Sequence, residues 1–218
     1  MQFKNRAQAA RLLADGLAGY RGSNPLVLAI PRGAVPMAHI IAERLGGEFD
    51  VVLVRKLGAP GNREFAVGAV DETGWVYLAP WARETGADAA YVEQEKQIEL
   101  ETMRRRRAQY SPLRAPRDPA GRIVIVIDDG LATGSTMIAA LHALRARQPK
   151  KLVCAVPVAP PETLGKVEPY CDELVCLYAP ADFRAVGRFY LDFDQVDDAE
   201  VISLLRGDPA APSGPTSG

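Results

Sequence analysis

Residues 124–136 read VIVIDDGLATGST: branched aliphatics run into two carboxylates, Asp128 and Asp129, and then into a turn of small and hydroxylated residues. The aliphatic run, which begins at Ile123, has the length and composition of a buried strand, and a helix is predicted from about Ser135 to Arg147. Gly130 and Gly134 permit close backbone approach and left-handed turns. Amides at the start of that helix, joined by the hydroxyls of Thr133, Ser135 and Thr136, make a cradle for a phosphate. Ser135 stands where a Walker A loop carries lysine, so the cradle suits a phosphomonoester held by dipoles better than a polyphosphate. The adjacent acids are acceptors, suited to a cation or a vicinal diol, and a ribose 5-phosphate supplies partners for both halves of the loop. A plainer reading is that Asp128 caps the turn and Asp129 pairs with a surface arginine.

Outward from this stretch the chain repeats strand and helix. LVLAI at 26–30 reads as a buried strand ended by Pro31-Arg32-Gly33; Pro36 opens a helix that Gly46-Gly47 closes, and DVVLV at 50–54 is the second strand. KLVCAVPV at 151–158 and ELVCLY at 173–178 follow the helix after 136, with a short helix at 161–167 between them. Continuous aliphatic strands alternating with helices predict a doubly wound α/β domain: a mainly parallel five-stranded sheet with helices on both faces. Ligands of such sheets bind beyond the carboxyl ends of the strands, which selects the loops at 31–35, 55–64 and 128–136. Residues 5–17 read as an amphipathic helix capped by Asn5.

Between strands two and three lies an excursion over 58–121. Its first part, 58–75, predicts a hairpin or mobile flap; 89–110 is a charged helix, and 111–121 a linker. The run Arg104–Arg107 follows Glu93, Glu95, Glu99 and Glu101 on that helix and reads as a solvated face rather than a nucleic-acid patch. A formal net charge of -1 gives no global drive toward nucleic acid or anionic membranes, and no apolar run is long enough to span a bilayer. Three cysteines without a C-x-x-C pair and only two histidines argue against a zinc site or a Cys/His catalytic pair. With no signal core at the N-terminus, the expectation is a cytoplasmic protein with a single domain over 1–206, its core at about 25–180, and a disordered tail at 207–218.

VIVIDDGLATGST closely resembles the 13-residue motif for 5-phosphoribosyl 1-pyrophosphate in type I phosphoribosyltransferases. Pro31-Arg32-Gly33-Ala34 is similar to that family's pyrophosphate loop, and Arg55-Lys56-Leu57-Gly58 to the start of its catalytic loop. The resemblance is nearest to the adenine-type branch and to bacterial phosphoribosyltransferases of unassigned substrate. It implies that Arg32 and Lys56 neutralise the pyrophosphate, with Gly33, Ala34 and Arg55 beside them. It also implies that Asp128 and Asp129 hold the ribose hydroxyls, and that Gly130, Ala132, Thr133, Gly134, Ser135 and Thr136 form the 5-phosphate loop. Mg²⁺ is expected to bind mainly through the substrate, with Asp128 or Asp129 as the protein group able to reach it. Ala132 replaces the acid that enzymes for 6-oxopurines carry, and Gly130 replaces an aliphatic residue, leaving more room near the ribose.

The acceptor base is expected under a hood at 181–206, where Phe183, Phe189 and Tyr190 are candidates to stack on it and Arg184 or Arg188 to contact it; alternatively these aromatics anchor the C-terminal segment to the core. The resulting expectation is an Mg-dependent phosphoribosyltransferase of nucleotide salvage acting on 5-phosphoribosyl 1-pyrophosphate and a base, with a homodimer as its assembly. Two alternatives are a regulator of the same fold acting on RNA or DNA and a phosphate-sugar hydrolase.

Overall fold

The computed structural model describes residues 1–110 and 116–207. α1 (Arg6–Gly16) begins where the Asn5 side chain accepts from the Gln8 amide at 3.0 Å, and it turns Ala9, Ala10, Leu13 and Ala14 inward. β1 (Leu26–Ala29) is buried along its length and leads into α2 (Val35–Leu45), which carries Pro36 in its first turn and stops at a left-handed Gly46. β2 (Glu48–Val51) follows.

The excursion is a second, antiparallel sheet made of β3 (Val54–Ala59), β4 (Asn62–Asp71) and β5 (Val76–Leu78). This corrects the predicted second strand: DVVLV is divided, with Asp50 and Val51 in β2 and Val54 in β3. Val52 and Leu53, which join the two sheets, are as buried as the strands themselves. An apolar run therefore cannot distinguish connector from strand. α3 (Ala89–Tyr110) has the predicted bounds, and it lies along the antiparallel sheet, where the Tyr91 hydroxyl donates to the Gly58 carbonyl at 3.0 Å.

β6 (Ile123–Ile127), α4 (Ser135–Arg145), β7 (Lys151–Val158), α5 (Pro161–Val167) and β8 (Glu173–Tyr178) complete the main sheet, and α6 (Asp198–Arg206) follows the hood segment. The main sheet has the order β2-β1-β6-β7-β8, and every pairing in it is parallel. Side chains alternate between its faces. Val27, Ala29, Ile125, Ile127 and Val153 face α1, α2 and α6; Leu28, Val124, Val126, Leu152 and Cys154 face α4. The doubly wound expectation holds. Burial pushes the Cys154 thiol well above its ordinary pKa, so this residue packs as a small hydrophobe.

The antiparallel sheet docks on α4 through Ala69, Trp75 and Tyr77, with the Trp75 ring stacked on His142 at 3.6 Å between centroids. Residues 3 and 4 pair with the hood: Phe3 donates to the Phe189 carbonyl at 2.7 Å, and Leu191 donates back to Phe3 at 2.9 Å. Gly207 caps α6; the rest of the expected tail, and 111–115 of the expected linker, lie outside the described residues. Among the described residues no helix is long and apolar enough to cross a membrane.

Candidate functional site

The parallel order brings the ends of β1 and β6 side by side, and the loops that leave them share a cavity of about 700 Å³ with β3, α3 and the hood. The loop after β6 is fixed by backbone groups. The Leu131 amide donates to the Val158 carbonyl at 2.9 Å, and the Thr163 hydroxyl donates to the Ala132 carbonyl at 2.6 Å. Gly134 is left-handed with φ 79°, and a Cβ there would meet Val167 at 2.9 Å and Thr163 at 3.0 Å. It serves as the N-cap of α4 with no side-chain cap, so amides of the first turn remain as donors toward an anion. Thr133, Gly134 and Thr136 line the cavity, whereas Ser135 is buried with its hydroxyl 3.3 Å from that of Thr133.

Gly130 has a role that differs from the expected one. A Cβ at Gly130 would lie 2.7 Å from Cγ1 of Val186 and 3.0 Å from Cγ1 of Val158. The space freed by the missing side chain is filled by the hood, not left open beside the ribose.

Both acids face the cavity. The Asp128 carboxylate accepts from the Asp129 amide at 2.8 Å, as a turn cap does. Burial first, and the neighbouring Asp129 carboxylate second, push Asp128 well above the usual carboxylate pKa, against the pull of Lys56 and Arg6. Burial also raises Asp129, with the Arg6 guanidinium as the main opposing influence.

Arg6 has no counterpart in the sequence reading. From the first turn of α1 its Nε and Nη2 approach Asp129 Oδ2 at 2.9 and 2.8 Å, its Nη1 donates to the Asp194 carbonyl at 2.5 Å, and its Cζ lies 3.8 Å from the centre of the Phe193 ring. Asp129 thus has the arginine partner that the plainer reading gave it, but within the cavity. No local signal marks Arg6: it is one charged residue at the start of an amphipathic helix, 123 positions from its partner.

The loop after β1 presents Arg32 and Gly33 to the cavity, with a cis peptide between Pro31 and Arg32. Arg32 forms a 3.7 Å ion pair with Asp198, which also accepts from the Tyr110 hydroxyl at 2.9 Å. Ala34 is buried at the N-cap of α2, behind the lining. Arg55 and Lys56 are strand residues of β3 rather than the start of a loop. Arg55 is held by Glu99 at 2.6 Å, while Lys56 is exposed and forms no ion pair with a described residue. Glu99, with Glu95 paired to Arg63 at 3.0 Å, brings α3 into the cavity wall, a role the charge pattern of that helix did not reveal.

The hood departs most from expectation. Phe183 and Phe189 stack on each other at 5.4 Å and pack against the core, and Tyr190 is buried with its hydroxyl donating to the Asp129 carbonyl at 2.6 Å. None of the three lines the cavity; Val186, Phe193, Gln195 and Val196 do. The anchoring alternative describes these aromatics: Tyr190 is buried, and Phe183 and Phe189, partly buried, pack against the core and each other. Arg184 and Arg188 are exposed outside the lining. Among the described residues no three acidic, His or Cys side chains cluster to hold a metal.

The chain is similar to known proteins. A model of the phosphoribosyl transferase domain matches residues 2–194. A Mycobacterium tuberculosis protein, provisionally named a phosphoribosyl transferase, is 40% identical over 204 residues; the match takes in 93% of this chain and 46% of that protein, so the chain spans about half the length of the curated relative. A uracil phosphoribosyltransferase of Clostridioides difficile is 36% identical over 69 residues, about a third of each protein (32% of this chain and 33% of that one). The crystal structure of TT1426 from Thermus thermophilus superposes with a TM-score of 0.80 at 45% identity, covering 95% of this chain and 99% of that one. The strand order, the acid pair leading into an uncapped helix, and a match over most of the sequence converge: the chain belongs to the phosphoribosyl transferase domain family.

Proposed function

We propose that this cavity transfers the 5-phosphoribosyl group of 5-phosphoribosyl 1-pyrophosphate to a nitrogen nucleophile of a base, releasing pyrophosphate. The observation that carries this reading is the joining, in one cavity, of an uncapped helix start, an acid pair and the cation Lys56, which pairs with no described residue. The 5-phosphate sits at the start of α4 against Thr133, Gly134 and Thr136. Asp128 and Asp129 meet the ribose hydroxyls, and Arg32 and Lys56 take the pyrophosphate. As the nitrogen lone pair forms its bond to C1, the C1–oxygen bond breaks, its electrons leave with pyrophosphate, and the nitrogen's proton passes to solvent. Positive charge on the ribose ring is stabilised by the carboxylates, and negative charge on the leaving group by the cations. Asp128 or Asp129 is the side chain that would hold an Mg²⁺ bound with the substrate, which would supply neutralising charge for the leaving group.

Within the Arg104–Arg107 run, Arg107 pairs with Glu72 and both Arg104 and Arg105 lie beside Glu101, as on a solvated face, which weighs against the regulator reading. Ala132 offers no acid to a 6-oxopurine, which directs a search for the acceptor toward other bases. The test is pyrophosphate release from 5-phosphoribosyl 1-pyrophosphate with Mg²⁺ across a panel of bases. Release with at least one base is expected; tight binding of the sugar without release for any base would replace transfer with sensing. Lys56→Met is expected to raise KM for the sugar substrate by about tenfold, the value of one charge-assisted contact, with an unchanged melting temperature. Steady-state kinetics give the comparison, and an unaltered KM removes Lys56 from the pyrophosphate site.

A further inference from the structure

We propose that Arg6 is the positioning residue of the acid pair: it holds the Asp129 carboxylate in place and fastens it to the hood wall, so that the phosphoribosyl and acceptor halves of the cavity are set as one unit. The inference rests on the transferase reading and extends it to a residue outside the family's three loops. Three contacts of one guanidinium support it. The Nε–H donates to Oδ2 of Asp129 and Nη2 lies 2.8 Å from the same oxygen, while no side chain among the described residues donates to Oδ1. The third nitrogen donates to the Asp194 carbonyl, and the plane of the group lies over Phe193, itself part of the cavity wall.

A second tie runs in parallel, because the Tyr190 hydroxyl binds the backbone carbonyl of the same Asp129. Asp129 is therefore gripped from the hood at its backbone and from α1 at its side chain. Arg6 is only 14% exposed along its side chain, and Gly33 closes over the pair, so the guanidinium is packed into a built position rather than lying on the surface. A planar fork suits this task, since it can donate in two directions while stacking on a ring. A lysine would keep the charge and part of the donation but not the stacking.

The test compares wild type, Arg6→Lys and Arg6→Met in transfer kinetics, in calorimetry with 5-phosphoribosyl 1-pyrophosphate and Mg²⁺, and in thermal melting. Arg6→Met is expected to lose about ten- to a hundredfold in kcat/KM, mostly in kcat, the equivalent of charge-assisted hydrogen bonds given up at a buried carboxylate. Arg6→Lys should recover most of that loss, and both variants should melt cooperatively. Wild-type kinetics in Arg6→Met would overturn the proposal. So would tighter substrate binding in Arg6→Met, which would make Arg6 an occluding group. Equal losses in Arg6→Lys and Arg6→Met that follow a lowered melting temperature would reduce the residue to packing. If the wild type itself binds no 5-phosphoribosyl 1-pyrophosphate, the transferase reading fails and takes this proposal with it, an outcome distinct from binding that ignores Arg6.

Discussion

Replacing both acids, Asp128→Asn with Asp129→Asn, is expected to abolish calorimetric binding of 5-phosphoribosyl 1-pyrophosphate with Mg²⁺ and to cut transfer by about a thousandfold, with the fold intact. Amides keep the size of the carboxylates and can still accept one hydrogen bond, but they remove the charge that favours a cationic ribose. The single variant Asp128→Asn should at the same time be more stable than wild type at neutral pH. Burial raises the pKa of Asp128 in the folded chain, so ionising it costs folding free energy. That cost is absent below the ordinary carboxylate pKa and grows as pH rises toward the folded value; the melting temperatures of wild type and Asp128→Asn should therefore converge in acid and separate toward neutrality. An acid whose ionised form costs stability where it stands is what a functional site looks like in energetic terms. Unchanged substrate affinity in the double variant would remove the acids from the site.

Gly33→Ala is expected to have the next largest effect. A Cβ at this position would lie 2.2 Å from Asp129 Oδ2, 3.0 Å from Arg6 Nη2 and 3.1 Å from Arg6 Nε. No rotamer relieves a Cβ, so either the loop after β1 lifts away or the Arg6–Asp129 pair is displaced. A shift of this kind at a reacting centre costs about a hundredfold in kcat/KM, while the overpacking costs only about 1–3 kcal/mol of stability. Kinetics and a denaturant titration on the same variant separate the two effects. Wild-type kinetics would mean that the loop gives way without consequence. The resemblance only placed this glycine beside the pyrophosphate; the geometry adds that two loops meet here with no room for a methyl group.

This contrast describes what was legible. β6, β8 and the sheet's parallel character follow from continuous aliphatic runs closed by turn residues, and the bounds of α3 and α5 from a charged stretch and from a proline at the first helical position, all of them local signals. The division of DVVLV between two sheets was not legible, because burial at a junction looks like burial in a strand. The cavity's loops could be selected from the positions of strand ends, but its walls could not. Val186 against Gly130, Glu99 on Arg55 and Arg6 on Asp129 are pairings of side chains distant in sequence, and neither partner has a composition that marks it. The hood aromatics illustrate the limit. A run containing Phe183, Phe189, Tyr190 and Phe193 says that rings are present, and only packing decides that Phe193 reaches the cavity while the others turn to the core.

The pairing of residues 3 and 4 with the hood has a consequence for the order in which the molecule assembles. Arg6 joins Asp129 and Asp194 across 123 and 188 positions, so its contacts close some of the longest loops in the chain. Strand–helix–strand units near β6 can gain from neighbours a few dozen residues away, whereas this junction offsets its ordering entropy only after residues 3–6 and the hood have come together. The cavity is thus expected to form late in folding: regain of helical signal should precede regain of a complete site, which waits on the seam between residues 3–6 and the hood.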